Sequence, residues 1–312
     1  MIELTTTRAN PLVDPVLHVW AWPIPVYLFL GGLVAGMMAI GGWFMFTDRH
    51  RRADSVAFLL PGLSLVLLSL GMLALFLDLE HKRTVWRLYT TFRIASPMSW
   101  GAWILVAVYP VLAAAMLLRL PAPLRDRVPA LGALADRLAG NVELERTVAG
   151  TSMVLGGLLG LYTGVLLSAL GARPLWNSAL LGPLFLVSGL SSAAALVHMV
   201  ARDRAERSLL ARADNRFLQA ELAILALFLV GLLTSTRVHV AAAGLLLGGP
   251  FTAVFWVGVV GLGIAMPLLI QSLAVGHRVR HTPVAPLLVL AGGVLLRFVI
   301  VNAGQVSQWG GP

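Results

Sequence analysis

Residues 22–46 read WPIPVYLFLGGLVAGMMAIGGWFMF, an uncharged apolar run. It is longer than the roughly 20 residues that a helix needs to cross a bilayer. Seven further apolar runs follow, at about 56–79, 98–119, 148–170, 179–201, 217–236, 252–275 and 284–304. The sequence therefore predicts an all-α polytopic membrane protein with eight transmembrane helices, which we expect to form two four-helix bundles. The residues before the first run lack a basic cluster, so we expect no cleaved signal peptide.

The composition excludes several classes of protein. Of the 312 residues, 58% are hydrophobic and 12% are charged, about half the charged share of a typical soluble domain. A chain with so few charges cannot cover the surface of a soluble enzyme, and it fits neither a disordered segment nor a coiled coil. Its natural surroundings are a lipid bilayer.

Two residue types limit the redox chemistry of the chain. It contains no cysteine, which excludes thiol nucleophiles, zinc–thiolate sites and cysteine-ligated iron–sulfur clusters. Of its seven histidines, only His198 lies within a predicted span, and a membrane haem of the b type needs a second histidine at matched depth. We therefore predict neither haem nor an iron–sulfur cluster in this chain. Any electron carrier must come from a partner or a diffusible cofactor.

The charge pattern predicts an orientation. The formal net charge is +9, and most basic residues lie in the loops after the first, third, fifth and seventh helices. By the positive-inside rule these loops are cytoplasmic, so the charge indicates contact with anionic lipid and not with nucleic acid. We expect a bacterial inner-membrane protein in which the N-terminal segment 1–21 and the tail 305–312 are both periplasmic, on either side of a transmembrane domain at 22–304.

Three connecting stretches are less regular. Residues 120–147 are predicted to form an amphipathic helix on the cytoplasmic surface, starting at a proline. Residues 202–216 look like a shorter version of the same arrangement. The stretch 238–250 is apolar but too short to span a bilayer, so we expect it to lie on the surface or to re-enter the membrane.

Ionisable residues within apolar spans are costly, and each is a functional candidate by default. Asp78 ends the second helix, and Arg297 lies near the middle of the eighth. His198 ends the fifth helix and Glu221 begins the sixth, both toward the cytoplasm. These last two are candidates for a proton path. The simpler alternative for all of them is snorkelling at a helix end or a structural ion pair.

Glycines and aromatic residues form a second set of candidates. Gly32 and Gly36, and the run of Gly156, Gly160 and Gly164, have the spacing that lets helices pack closely. Tyr162 lies within that run, so its phenol could hydrogen-bond a ligand. Many tryptophans crowd the periplasmic helix ends, where an interfacial aromatic belt is the simpler explanation.

The loop between the second and third helices breaks the charge rule. Residues 80–97 are periplasmic in the predicted orientation, yet they carry four basic residues: Lys82, Arg83, Arg87 and Arg93. Some loops simply depart from the rule. The more specific hypothesis is that this basic loop docks an acidic partner subunit.

Several motifs along the chain resemble one known family. They are WPIPVYLFLGGLVAG (22–36), LDLEHKRTVWRLYTTF (77–92), SPMSWGAWIL (96–105), LYTGVLLSALGARPLWNS (161–178), LFLVSGLSSAAALVH (184–198) and LLRFVIVNAGQ (295–305). Together they resemble the NrfD/PsrC-type membrane subunits of polysulfide reductase and related molybdoenzyme complexes. The resemblance extends from about residue 20 to residue 305.

The resemblance implies a quinone-reactive membrane anchor with no redox cofactor of its own. Menaquinone or ubiquinone would bind near the periplasmic face, within the first helix bundle. A periplasmic ferredoxin-like iron–sulfur subunit would dock on the anchor. That subunit would pass electrons between the quinone pool and a molybdopterin catalytic subunit, as in anaerobic respiration.

Individual positions follow from the same resemblance. Tyr162 matches a family tyrosine associated with the quinone, and Tyr27 falls where some relatives have a histidine at the headgroup. Asp78 lies where relatives carry an acidic residue near the site or the proton route. Trp100 and Arg297 belong to the third and last motifs. Asp78 and Tyr162 are thus the candidate catalytic residues, and the candidates for quinone binding are Tyr27, Tyr162, Trp100 and Arg297.

Two other functions fit the same composition. A secondary transporter would also use eight spans and buried charges, and Pro61 and Pro267 could mark the midplane helix breaks typical of that class. We find no convincing internal repeat to support it. A purely structural anchor would hold its partners without binding a quinone.

Overall fold

The computed structural model describes residues 19–49, 55–120, 122–138, 140–275 and 283–309. In these ranges eight helices are long and apolar enough to cross a membrane, which confirms the predicted class. They are α1 (Pro23–Phe46), α2 (Leu60–Asp78), α4 (Pro97–Leu118), α7 (Val142–Ser168), α8 (Leu181–Val200), α9 (Arg204–Leu233), a span over Val254–Leu273, and α12 (Val284–Val306). Four histidines, at positions 18, 50, 277 and 281, lie outside the described residues.

Shorter elements connect the spans. They are the 3₁₀ turns Val56–Phe58 and Lys82–Thr84 and the helices α3 (Arg87–Thr90), α5 (Ala122–Arg127), α6 (Pro129–Leu138) and α10 (Arg237–Leu247). The seventh span begins as a π-helical segment, Val254–Ala265, and continues as α11 (Met266–Val275). α10 is too short to cross a bilayer.

The spans form two four-helix bundles. α1, α2, α4 and α7 pack together as the first bundle, and α8, α9, α12 and the π-helical segment with α11 form the second. α1 also packs on α8 and α12, and α7 packs on α8, so the bundles share one long contact. Successive spans run in opposite directions. We call the side where α1 begins and α12 ends the terminal face, and the other side the opposite face.

Small residues allow close helix contacts, both between the bundles and within the first one. A Cβ atom added at Gly36 of α1 would overlap Ala193 and Gly189 of α8. One added at Gly156 of α7 would lie 2.7 Å from the carbonyl oxygen of Ala35. The predicted small-residue motifs therefore act in helix packing, which in a membrane depends on such approaches.

Two helices begin well before their predicted starts. The Asp203 side chain accepts a hydrogen bond from Ala205 N at 3.0 Å and caps α9, which then continues without a break into the sixth span. The expectation that 202–216 is a separate surface helix is therefore wrong. Asn141 caps α7 in the same way through Leu144 N. Most of the stretch 120–147 forms α5 and α6, which are separated at Pro129 because a proline disfavours helical geometry in the residue before it.

Candidate functional site

Three of the four tyrosines, Tyr27, Tyr109 and Tyr162, lie on helices of the first bundle, and Tyr89 lies on the short helix α3 beside it. The Tyr27 phenol interacts electrostatically with those of Tyr162 and Tyr89, and Tyr89 interacts with Tyr109. Tyr27 and Tyr162 are almost wholly buried. Tyr89 lies on α3, outside the spans, where partial burial and the neighbouring Tyr109 raise its pKa above the ordinary value of 10.0. Its hydroxyl therefore stays protonated at neutral pH and can donate a hydrogen bond.

Each helix of the first bundle helps to position the buried pair. Tyr27 projects from α1 toward α2, where a Cβ atom added at Gly71 would stand 3.9 Å from its Cδ2 atom. Tyr162 projects from α7 toward α4, and its ring lies directly against Gly101. No residue with a side chain fits at position 101 without moving this ring. The glycine of the SPMSWGAW motif therefore makes room for a buried phenol.

A cavity of about 410 Å³ opens at the terminal face, the face at which α1 begins a few residues before Tyr27. Four apolar residues and seven polar ones line it, and the polar ones include His81, Arg87, Arg93, Ser96 and Ser99. The Ser99 hydroxyl accepts from Arg93 N at 3.0 Å and donates to Thr91 O at 3.2 Å, so it folds the loop over the cavity. The volume lies within the range of small-molecule sites, and most of the lining surface is contributed by apolar atoms, as is typical of them.

Two residues that line the cavity are close in sequence to residues of the tyrosine cluster. Leu88, in its lining, precedes Tyr89, and Ser99 precedes Gly101 by two residues. The structure thus places Tyr27, Tyr162 and a cavity at the same face of the first bundle. Sequence reasoning missed Tyr89 and Gly101, although both lie inside quoted motifs.

Two predicted residues stand farther from the pair. Trp100 is 40% exposed, and its indole Nε1 donates to Ile94 O at 2.7 Å, so its polar atom serves the loop. Asp78 ends α2 seven residues beyond Gly71, which is about 10 Å along a helix. It therefore lies two turns nearer the terminal face than the Tyr27 ring.

The four basic residues of the α2–α4 loop are all exposed. Arg87 and Arg93 line the cavity. Lys82 lies over the Phe76 ring at 5.9 Å, and Arg87 lies over Trp86 at 5.7 Å. Phe92, Ile94 and Trp86 expose large apolar surfaces in the same loop. The loop thus presents a positive and partly apolar surface beside the cavity.

Arg297 lies in the second bundle, fully buried. It donates to Phe185 O at 2.9 Å, to Gly293 O at 3.2 Å and to the Ser188 hydroxyl, and its guanidinium stands 4.8 Å from the Phe185 ring centre. A Cβ atom at Gly32 would lie 3.2 Å from its Nη2 atom. The predicted mid-span arginine therefore joins α12, α8 and α1, where the bundles meet, and does not line the cavity.

Glu221 does not begin a helix, contrary to the sequence prediction. It lies well inside α9, is buried, and interacts with Ser188 and Arg297. Seven residues earlier, Asp214 is also fully buried and is bonded to Ser191 and Gln271. Sequence reasoning missed Asp214 because it placed this residue in a surface connector. The signal was available, since positions 214, 218, 221 and 225 share one face of a helix.

The fourth and the last of the quoted sequence motifs meet at the terminal face. The Trp176 indole is seated against Gly304 and donates to Ile300 O at 2.8 Å. Gln305 bonds both backbone polar atoms of Trp20, at 2.8 and 2.9 Å, and Trp20 stacks on Trp176 with ring centres 5.2 Å apart. These contacts fix the start of α1 to the end of α12.

The fold and the site define a polytopic α-helical membrane protein with a ligand-sized cavity and a pair of buried tyrosines toward one face. The family model described as "Polysulphide reductase, NrfD" matches residues 10–308. The chain belongs to this family. It is 34% identical to Protein NrfD of Escherichia coli (strain K12) over 309 residues, covering 93% of this chain and 96% of the relative. It is 31% identical to the C subunit of polysulfide reductase from Wolinella succinogenes, covering 92% of this sequence and 94% of that subunit.

Proposed function

We propose that this protein is the quinone-binding membrane subunit of a respiratory oxidoreductase complex in the inner membrane. The observation that carries the proposal is a ligand-sized cavity at the terminal face, the face near which α1 begins and α7 ends with Tyr27 and Tyr162 close to those ends. Membership of a family whose relatives include a subunit of polysulfide reductase supports a redox complex. A quinone bound here, menaquinone or ubiquinone, would supply two-electron, two-proton chemistry.

The chain's own residues would bind and orient the ring and move protons. Neutral phenols donate to a carbonyl oxygen or accept from a hydroxyl, so Tyr162 and Tyr27 suit either redox state of the ring. Ser99 and Arg93 close the cavity at its mouth. Asp78, nearer the terminal face, can hold a proton on its way to water. Proton transfer by a positioned group contributes ~10²–10⁴-fold to a rate.

The electrons must leave this protein, because no cysteine is present to bind an iron–sulfur cluster. We propose that a ferredoxin-like iron–sulfur subunit docks on the exposed basic loop and connects the quinone to a molybdopterin subunit. The loop's position beside the cavity supports this arrangement, since a cluster held there would lie close to the ring. The basic-loop asymmetry supports a periplasmic terminal face, with both ends of the chain on that side.

The decisive experiment is quinol turnover of the purified complex with Tyr162→Phe. This change removes the hydroxyl and keeps the ring against Gly101. We expect turnover to fall at least ~10-fold, at the low end for a proton-transfer group. Tyr109→Phe is the matched control, because the Tyr109 hydroxyl contacts Ser69 at 3.4 Å in an exposed position, whereas Tyr162 is buried. Full turnover in Tyr162→Phe, with the complex intact, would show that the Tyr162 hydroxyl has no role in the reaction.

A binding measurement separates this function from a purely structural anchor. A fluorescent or spin-labelled quinone analogue should bind the wild-type complex and be displaced by the natural quinone. Failure of any quinone to bind, in a complex that still holds its partner subunits, would favour the structural role.

A further inference from the structure

Another cavity opens toward the opposite face, apart from the tyrosine site. Helices α1 and α9 both pack on α8, and a cavity of about 310 Å³ lies between them, with Leu190 of α8 in its lining. The other lining residues come from the last turns of α1 and the first half of α9, among them Trp43 and Phe44. We call this cavity the α1–α9 groove. It lies where the two bundles meet, because α1 belongs to the first bundle and α8 and α9 belong to the second.

The groove holds one charged side chain in an apolar lining. Nine of the ten lining residues are hydrophobic, and the tenth is Arg216. Arg216 is exposed, and it makes no hydrogen bond, ion pair or ring contact with any residue of the described ranges. Asp214 does not neutralise it, since two residues on a helix stand about 200° apart, and Asp214 is bonded to Ser191 and Gln271. The charge of Arg216 is therefore available to a ligand in the groove.

The backbone of Arg216 lies deep in the membrane domain. The hydrogen bond from Ser191 to Asp214 sets the register of α8 against α9. Beyond Ser191, α8 continues past the buried His198 and ends at Val200. Arg216 lies two residues past Asp214 in the other direction, so its Cα atom is about 16 Å from the level of that helix end. Half the thickness of the hydrocarbon core is about 15 Å.

A charged side chain that is exposed at this depth needs a partner or a route to water. Side chains on a helix lean toward its N-terminus, which for α9 lies at the opposite face, so Arg216 leans along the groove toward its mouth. Arg212, also exposed, is one turn nearer the mouth on the same side of α9. At the end of α1, the Arg49 guanidinium lies 5.1 Å from the ring centre of Trp43. Three arginines thus follow the groove from its deep end to its mouth.

We propose that the α1–α9 groove binds one anionic phospholipid from the leaflet at the opposite face. The lipid phosphate accepts hydrogen bonds from the guanidinium groups of Arg216 and Arg212, a pairing that suits the planar fork of arginine. The acyl chains cover the apolar lining, and Arg49 stands at the mouth. Basic pockets between transmembrane helices are typical sites for anionic lipid headgroups. A neutral ligand would leave the charge of Arg216 uncompensated.

The position of the groove gives the bound lipid a structural task. It contacts α1 of the first bundle and both α8 and α9 of the second, so it joins the bundles at the opposite face. Binding of any ligand to the folded state alone raises the stability of that state. The lipid therefore stabilises the contact between the bundles, and this role does not depend on quinone binding at the terminal face.

Quenching by brominated lipids tests the site directly. The purified complex is reconstituted in vesicles that mix phosphatidylglycerol with phosphatidylethanolamine, and only one of the two lipids carries bromine in its acyl chains. The signal of Trp43 is the fluorescence that Trp43→Phe loses. We expect brominated phosphatidylglycerol to quench this signal at an at least ~5-fold lower mole fraction than brominated phosphatidylethanolamine, since each basic residue near the surface attracts anionic lipid by about that factor.

Matched variants show whether the preference comes from the groove. Arg216→Gln should abolish it, and Arg216→Lys, which keeps the charge, should retain most of it. Arg146→Gln is the control, because Arg146 is an exposed arginine near the start of α7 at the same face. Equal quenching by the two lipids in the wild type, or an undiminished preference in Arg216→Gln, overturns the proposal. Quenching of Trp43 by a quinone analogue without anionic lipid, lost in Arg216→Gln, would assign the groove to a quinone and also overturn it.

Thermal unfolding tests the structural role of the lipid. Phosphatidylglycerol added to the delipidated complex in detergent should raise the unfolding midpoint of the wild type, and phosphatidylethanolamine should not. The midpoint of Arg216→Gln should stay unchanged with either lipid. An equal rise in the wild type and in Arg216→Gln would contradict a specific site. The same rise with inorganic phosphate in place of lipid would show that no acyl chain is needed, and it would likewise overturn the proposal.

Discussion

The ring of Tyr162 on α7 lies directly against Gly101 on α4, so closely that a Cβ atom at position 101 would overlap it. The absence of a side chain on one helix thus fixes the position of a phenol on another. Ser99, two residues before this glycine, lines the cavity at the terminal face.

We predict that Gly101→Ala impairs the site while leaving Tyr162 in the sequence. The added methyl group must push the ring away, at a cost of about 1–3 kcal/mol of stability for an overpacked core. Quinol turnover should fall as far as in Tyr162→Phe. Gly157→Ala is the control, because a Cβ atom there meets nothing within 4 Å. Normal turnover in Gly101→Ala would mean that the exact place of the ring does not matter.

We predict that Asp78→Asn slows quinol turnover at least ~10-fold, through loss of a proton-accepting group. The variant keeps the size of the side chain, so binding of a quinone analogue should be unchanged. Glu80→Gln, two residues later and exposed, should behave as wild type. Equal turnover in Asp78→Asn and wild type would leave no role for Asp78 in the reaction.

We predict that reversing Arg83, Arg87 and Arg93 together to Glu releases the iron–sulfur subunit. Single exposed pairs contribute only ~0.2–1 kcal/mol, so one substitution should change little. The loss should be greater at low salt, where charges are screened least. Co-purification at two salt concentrations measures it. A matched reversal of Arg127, Arg137 and Arg146, exposed at the opposite face, should retain the partner; wild-type recovery in the first triple variant would exclude the loop as the dock.

We predict that Arg297→Lys destabilises the protein. A lysine ammonium cannot reproduce the planar fork that reaches Ser188, Phe185 O and Gly293 O. Breaking a buried charged network costs about 3–5 kcal/mol. Thermal unfolding in detergent should show a lower midpoint, and less complex should assemble. A midpoint equal to that of the wild type would show that charge alone is enough.

We predict that reporters fused after residues 135 and 202 are cytoplasmic. Both positions follow spans that end at the opposite face, where most basic loops lie. A fluorescent protein that matures only in the cytoplasm should be bright at both, and a periplasmic phosphatase inactive. Phosphatase activity at either fusion would invert the orientation.

Much of the fold followed from the length of the apolar runs, because a bilayer demands spans of a set length whatever their sequence. Two predictions for α9 were wrong because of the same rule: the position of its start, and the placement of Glu221 at its beginning. Charged residues were taken to mark the end of a span, yet α9 carries Asp214 and Glu221 inside the bundle because Ser191, Ser188 and Gln271 satisfy them. Hydropathy does not register such partners, which come from other helices.

The site was predictable only in part, for a similar reason. Tyr162 stood out within its glycine run, and the structure places its buried ring against Gly101. Tyr89 and Gly101 did not stand out, because their importance lies in what they touch across the bundle. Arg297 was identified because a charged side chain in the middle of a membrane span is energetically costly. Only the fold shows that it joins the two bundles.

The π-helical segment Val254–Ala265 has a consequence for the buried carboxyl group of Asp214. Gln271, which holds Asp214, lies on the helix that follows this segment. Removing a single residue from the segment would turn everything after it by about 100°, and the Gln271 amide would face another direction. The segment contains no charged, amide or hydroxyl side chain. A stretch suited to lipid thus sets the angular register of a hydrogen bond two turns farther along the helix.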